Sequence, residues 1–301
     1  MRNSWSGRLP AVAGATVLCV GSALFVGAQV SSTRPSSDFR LYVLDCGYVR
    51  NIDTWSAFGF DPAKIANTTD AACPCHLIVH PKGTLVWDAG TVPDDEIGKQ
   101  AVPGNGAEPR RRTYFEATKP LRRQLADLGH KPEDITYFAL SHYHIDHAAN
   151  ANMFKGSTWL VRRAERDYMF AATSSGVRAG NAAHFSELKN SRTIIVEPDV
   201  YDVFGDGRVQ LMATPGHTPG HQVLVLKLAK TGPVMLAGDL YHYPEERRLG
   251  WIPLPLEFNV EQSRASRAAM EAYVKKTGTQ LWIEHDYVAN SKLKKAPEYY
   301  D

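Results

Sequence analysis

The stretch Ser141-His142-Tyr143-His144-Ile145-Asp146-His147 decides the reading of this chain. It follows the strand-like run Ile135–Leu140 and leads into small residues compatible with a helix. Three imidazoles and a carboxylate this close together are costly to bury unless something pairs with them, and a metal does so. At a spacing of two, His142 and His144 both turn toward one ion at a strand's end, while Asp146 and His147 turn toward a second position nearby. Three later segments extend the set. Thr214-Pro-Gly-His217-Thr-Pro-Gly-His221 is a turn locked by proline and glycine after the strand Val209–Met212. Gly238-Asp239 closes the apolar strand Val234–Leu236, and His285 ends the strand that starts at Leu281. Imidazole and carboxylate without thiolate suit Zn²⁺ and tolerate Mn, Fe or Co.

This pattern resembles the metallo-β-lactamase superfamily over about residues 39–295. The resemblance implies an αβ/βα sandwich of two mixed β-sheets with outer helices, holding two metals between the sheets. It implies that His142, His144 and His217 hold the first metal and that Asp146, His147 and His285 hold the second, with Asp239 bridging both. Asp88-Ala89-Gly90 resembles the family's supporting turn, and His221 is a supporting or packing residue. A water shared by two metals about 3.5–4 Å apart loses its proton near neutral pH, so no serine or cysteine nucleophile is required; Ser141 is expected to face the core.

Within the superfamily the chain looks like the N-acyl-homoserine lactonase branch. The turn ending His217-Thr-Pro-Gly-His221-Gln222, the segment His76–Asp88 and the tail Glu284-His285-Asp286 with Ala296–Tyr300 carry that likeness. It implies metal-dependent opening of a lactone ring, with Asp239 or Asp146 passing the proton to the departing oxygen. One departure stands out: the branch has a tyrosine three residues after the bridging aspartate, where this chain has His242 between Tyr241 and Tyr243. Any of the three is a candidate substrate contact. Trp55, Phe58, Phe60 and Trp251 are candidates to line an acyl chain. Organophosphate triesters, thioesters and β-lactams are alternative substrates, and an iron-dependent oxidoreductase of the same fold is a further alternative. Asp239 disfavours true β-lactamases.

Composition narrows the partners. The chain has 301 residues, 44% hydrophobic and 22% charged, which excludes a disordered or multi-span membrane protein. Lys and Arg total 34 against 32 Asp and Glu, so nucleic acid is not an expected partner. A small-molecule substrate is expected, a homo-oligomer is open, and no stable membrane partner is expected once the N-terminus is cleaved.

Residues 1–28 read as an export signal: Arg2 and Arg8 precede an apolar stretch that ends in Val26-Gly27-Ala28. The alternative is an N-terminal membrane anchor, because Leu9–Val30 is uncharged and about long enough to span a bilayer. Residues 29–38 form a linker, and 39–301 a single hydrolase domain in the periplasm or outside the cell. Export permits a disulfide: Cys46 can bridge Cys73 or Cys75, or all three are buried thiols. Asn67-Thr68-Thr69 reads as a chance glycosylation sequon.

Strands are expected at Leu41–Leu44, Cys75–Val79, Thr84–Trp87, Ile135–Leu140, Ile194–Val196, Val209–Met212, Val223–Leu228, Val234–Leu236 and Leu281–Ile283. Helices are expected over 115–128 and over 260–276, the latter capped by Asn259 and stopped by Gly278. The stretches 48–72, 91–113 and 243–258 are expected to be loops around a pocket.

Overall fold

Short runs of alternating apolar residues, cut by glycine- and proline-containing turns, build three sheets. The structure, a computed structural model, describes residues 39–50, 52, 70–99, 113–171 and 182–301, all within the unit Ser37–Asp301. The expected signal at 1–28, the linker 29–38, Trp55, Phe58, Phe60 and Asn67 lie outside the described residues.

Strands are numbered along the chain. The first sheet runs β1 (Arg40–Leu44), β4 (Cys75–His80), β5 (Gly83–Trp87), β7 (Tyr137–Ala139), β8 (Thr158–Val161) and β9 (Thr193–Ile195). Its first three strands pair antiparallel and the rest parallel. The second sheet runs β10 (Val200–Asp202), β11 (Val209–Ala213), β12 (Gln222–Leu228), β13 (Gly232–Leu236) and β14 (Gln280–Trp282), with only the last pair parallel. Both are therefore mixed. A third, small sheet joins β3 (Ala71–Ala72), β2 (Tyr48–Arg50) and β6 (Tyr114–Glu116).

The period of two decides the layers. Along β12, Leu224 and Leu226 face the first sheet, where Leu41, Ile78, Leu85 and Trp87 meet them in one core. Val223 and Val225 face outward, with Met270 and Val274 of the helix Val260–Thr277. On the other outer face, Leu121 and Leu125 of the helix Leu121–Asp127 cover Leu77, Val86 and Phe138. Each fully buried leucine in these layers contributes about 1.5–3 kcal/mol. The order is thus helices, sheet, sheet, helix.

Local signals explain most of the boundaries. Asn259 Oδ1 accepts the Gln262 N–H at 3.0 Å, and Gly278 closes the same helix in the left-handed conformation. The β4–β5 turn needs Gly83: its φ is 139°, and a Cβ there would meet Thr136 Oγ1 at 2.6 Å.

Three expectations need correction. The helix expected over 115–128 begins only at Leu121, because Pro120 stands extended before it and 114–116 pair with β2 instead. The stretch 48–72 contributes β2 and β3, and 243–258 contains the helix Pro244–Leu249. Of the open cysteine alternatives, Cys46–Cys75 is the disulfide and Cys73 is free and buried. The bridge joins neighbouring strands, since Leu44 pairs with Cys75 across β1 and β4.

Candidate metal centre

The C-terminal ends of strands in both sheets deliver the site, the place where open α/β sheets commonly bind ligands. Asp88 follows β5, Ser141–His147 follows β7, His217 follows β11, Asp239 follows β13 and His285 follows β14. Asp88 itself takes a left-handed φ of 59°. In that conformation its Oδ1 accepts the Ser141 N–H at 2.7 Å, and its backbone N–H donates to Ala139 O at 3.0 Å. Ala89 N–H in turn donates to His147 O at 2.6 Å, so this turn fixes the histidine-rich loop.

The side chains converge on Asp239. His142 Nε2 and His217 Nε2 stand 2.9 and 3.0 Å from His144 Nδ1. Asp239 Oδ2 lies 3.6 Å from His142 Nε2 and 3.3 Å from His217 Nε2. The other oxygen, Oδ1, lies 3.3 Å from His147 Nε2 and 3.1 Å from His285 Nε2. Asp146 Oδ2 completes that second group, 3.5 Å from His285 Nε2 and 3.9 Å from His147 Nε2. Two ligand groups thus share one carboxylate.

These residues fit metal ions. His147 Nε2 and Asp239 Oδ1 are buried and make no hydrogen bond among the described residues, although they face each other at 3.3 Å. Burial holds His142 and His217 well below the ordinary imidazole range and His144 down to about 4, whereas at His147 and His285 burial is outweighed by carboxylates, Glu284 and Asp239 for the first and Asp239 for the second, which lift both well above it. Burial pushes the Asp239 carboxyl up, but His285 and His147 above all outweigh it and hold Asp239 well below the usual carboxylate range.

Oxygen atoms stand behind most of the rings. His147 Nδ1 lies 3.3 Å from both Asp88 Oδ2 and Glu284 Oε1. Ser141 Oγ lies 3.0 Å from His142 Nδ1 and 3.2 Å from His147 Nδ1, so Ser141 orients two histidines rather than only packing. His285 Nδ1 lies 2.8 Å from Ala72 O, with Cys73 Sγ at 3.9 Å. His221 Nε2 accepts the Asp239 N–H at 3.0 Å, the supporting place expected for it.

The metallo-beta-lactamase superfamily domain matches residues 68–277. The chain belongs to the metallo-β-lactamase superfamily. Among its relatives in the superfamily, N-acyl homoserine lactonase AttM of Azorhizobium caulinodans is 30% identical over 280 residues, covering 88% of this chain and 100% of its own length. An N-acyl homoserine lactonase of a Bacillus species is 30% identical over 234 residues, covering 75% of this chain and 85% of its own. The solved structure of an N-acyl homoserine lactone hydrolase, with N-hexanoyl-L-homoserine bound at its catalytic metal centre, shares the fold. Its TM-score is 0.69 at 23% identity, over 88% of this chain and 100% of that one. As a metallo-β-lactamase superfamily member with these relatives, the chain is an enzyme, a metal-dependent hydrolase.

Three neighbours of Asp239 part ways. Tyr241 is not brought to the centre: its hydroxyl donates to Glu271 Oε1 at 3.0 Å, and Arg267 lies over its ring. Tyr243 packs among Val49, Ile52, Ala71 and Cys73. His242 alone of the three turns to Asp239, with Nε2 3.4 Å from Oδ2. Trp251 lies beside the Tyr243 cluster.

Sequence reasoning missed Glu165. Buried in the helix Arg163–Phe170, it accepts N–H groups from Tyr143 at 2.9 Å and Gly220 at 2.8 Å, and the Thr218 hydroxyl at 2.8 Å. It ties the two histidine loops together. Also missed were Glu246, Glu257 and Arg267, behind His242 and His217.

Proposed function

We propose that this chain is an exported dinuclear zinc hydrolase that opens the lactone ring of N-acyl homoserine lactones. The observation that carries the reading is the shared carboxylate. His142, His144, His217 and Asp239 would hold one ion, and His147, His285 and Asp239 the other, with Asp146 joining through its approach to His285 and His147. Bound there, divalent cations polarise a carbonyl and lower the pKa of water to near neutrality.

The chain's own groups do the rest. Asp239, held strongly acidic by its imidazole neighbours, is a poor proton carrier. Asp146, whose side chain is 19% exposed against 4% for Asp239, is the carboxylate placed to pass a proton to the departing ring oxygen. Phe258, 56% exposed, donates its N–H to His217 O at 3.2 Å and offers an apolar wall for an acyl chain beside the centre. The curated relatives act on this substrate class by name, which supports the substrate. The Cys46–Cys75 disulfide and the signal-like residues 1–28 support export. On this reading residues 29–38 link the signal to one hydrolase domain, 39–301.

The test is to incubate zinc-loaded protein with an N-acyl homoserine lactone and follow its mass. Gain of one water, reversed on acidification, is the expected result. Intact lactone after prolonged incubation would reject the substrate.

A further inference from the structure

His242 stands at the centre without a place in either ligand group, and its surroundings are those of a ligand. Its Nε2 lies 3.4 Å from Asp239 Oδ2, against 3.3 Å for His217 and 3.6 Å for His142. Its ring centre is 4.9 Å from that of His217, as the His144 ring is at 4.8 Å. The ring is buried, and Nε2 makes no hydrogen bond among the described residues.

The other ring nitrogen shows which way the imidazole is wired. His242 Nδ1 lies 3.0 Å from Glu246 Oε1, which also accepts the His242 N–H at 3.2 Å. Glu246 Oε2 accepts from Arg267 Nη2 at 2.7 Å. A carboxylate engaged by donors on both oxygens offers lone pairs to Nδ1, so Nδ1 carries the hydrogen and donates. With Nδ1 turned to Glu246, Nε2 faces Asp239 Oδ2 at 3.4 Å with no hydrogen bond between them, and one cation bound there would satisfy both atoms. A carboxylate behind the distal ring nitrogen is the habitual support of a metal-binding histidine. The same device stands behind His147, with Asp88 and Glu284, and Ser141 and Ala72 oxygens serve His142 and His285. Arg267 reaches Glu257 as well, at 3.3 Å, and Glu257 Oε2 lies 3.9 Å from His217 Nδ1. One buried ion network therefore backs both His217 and His242.

We infer that His242 is an additional metal ligand of the first position, binding through Nε2, and that Glu246 is the positioning residue that presents it. The inference rests on the two-metal part of the proposed function and not on the lactone. An imidazole here gives this chain a nitrogen donor where the resembling branch has a phenol.

The test measures metal, not turnover. Zinc affinity by chelator competition and the visible spectrum of the Co²⁺-loaded protein are compared for wild type, His242→Ala, Glu246→Gln and Tyr241→Phe. Glu246→Gln is expected to weaken one of the two sites by about 10- to 100-fold, and His242→Ala by at least as much. Both should alter the Co²⁺ spectrum, and Tyr241→Phe should change neither. The zinc-loaded wild type needs no variant to fold: its crystal structure should place His242 Nε2 about 2.0–2.1 Å from a zinc ion. Unchanged affinity and spectrum in both variants, or a crystal structure with His242 Nε2 beyond bonding distance of the metal, overturns the inference. A chain that binds zinc through His242 but spares lactones would end the substrate reading alone.

Discussion

Glu165 joins the loops that carry His142–His147 and His217, and its protonation should be visible in the stability of the whole protein. Burial pushes its carboxyl up to about 7 from an ordinary 4.5, against the lowering effect of the Thr218, Gly220 and Tyr143 donors. A carboxyl whose folded pKa is raised holds its proton more tightly in the folded state. Its contribution is fully present below about pH 4.5 and is lost as pH rises through 7. The shift corresponds to about 3 kcal/mol in all, of which about 2–2.5 kcal/mol falls between pH 5 and 7.5. Glu165→Gln keeps the shape and removes the titration, at a cost of about 1–3 kcal/mol for imperfectly paired donors. Urea unfolding of both proteins at pH 5 and 7.5, at one zinc concentration, reads the difference. Glu284, also pushed up to about 7 by burial, titrates in both proteins and cancels. The stability gap between wild type and Glu165→Gln should shrink by about 2–2.5 kcal/mol on going to pH 7.5. A gap that stays constant would show that this carboxyl does not carry the pH dependence, and the argument from its burial would fail.

Three other outcomes are expected. Removing the Cys46–Cys75 bridge, which spans a sequence separation of 29, should cost about 3–4 kcal/mol in chemical unfolding; a loss under about 1 kcal/mol would mean that the unfolded chain gains little freedom from the cut. Tyr241→Phe should leave turnover within about twofold while lowering stability by about 0.5–1.5 kcal/mol, because its hydroxyl serves Glu271; a large fall in kcat would put Tyr241 in the reaction. Gly238→Ala should displace Asp239 and reduce bound metal, since φ is +48° and the new Cβ would meet Ser141 Cβ at 2.6 Å and His221 Nε2 at 2.9 Å; metal content equal to wild type would contradict that.

The ligand groups were legible because their chemistry is concentrated: four of the seven expected ligands fall between His142 and His147, and the other three each follow a short strand-like run rich in apolar residues. The helix Val260–Thr277 was legible through Asn259 and Gly278, both local signals. The small third sheet was not. Ala71-Ala72 and Tyr48–Arg50 have no strand pattern of their own, and they pair through distant contacts such as Arg50 with Asp70 and Glu116. Glu165 and Glu246 were hidden for a related reason. A glutamate in a helix looks solvated until residues far along the chain, 55 positions away for Gly220 and 21 for Arg267, arrive to donate to it. Tyr241, His242 and Tyr243 looked equivalent in sequence, and only the folded contacts separate them: Tyr241 meets Glu271, Tyr243 packs beside Val49 and Cys73, and His242 reaches Asp239.

The shared carboxylate is the centre of the account, so the most direct measurement counts metal. Native mass spectrometry of the zinc-loaded wild type beside Asp239→Ala should find two zinc ions per chain in the first and a loss of metal in the second. A wild type that binds no zinc, or an Asp239→Ala protein that keeps both ions, would contradict it.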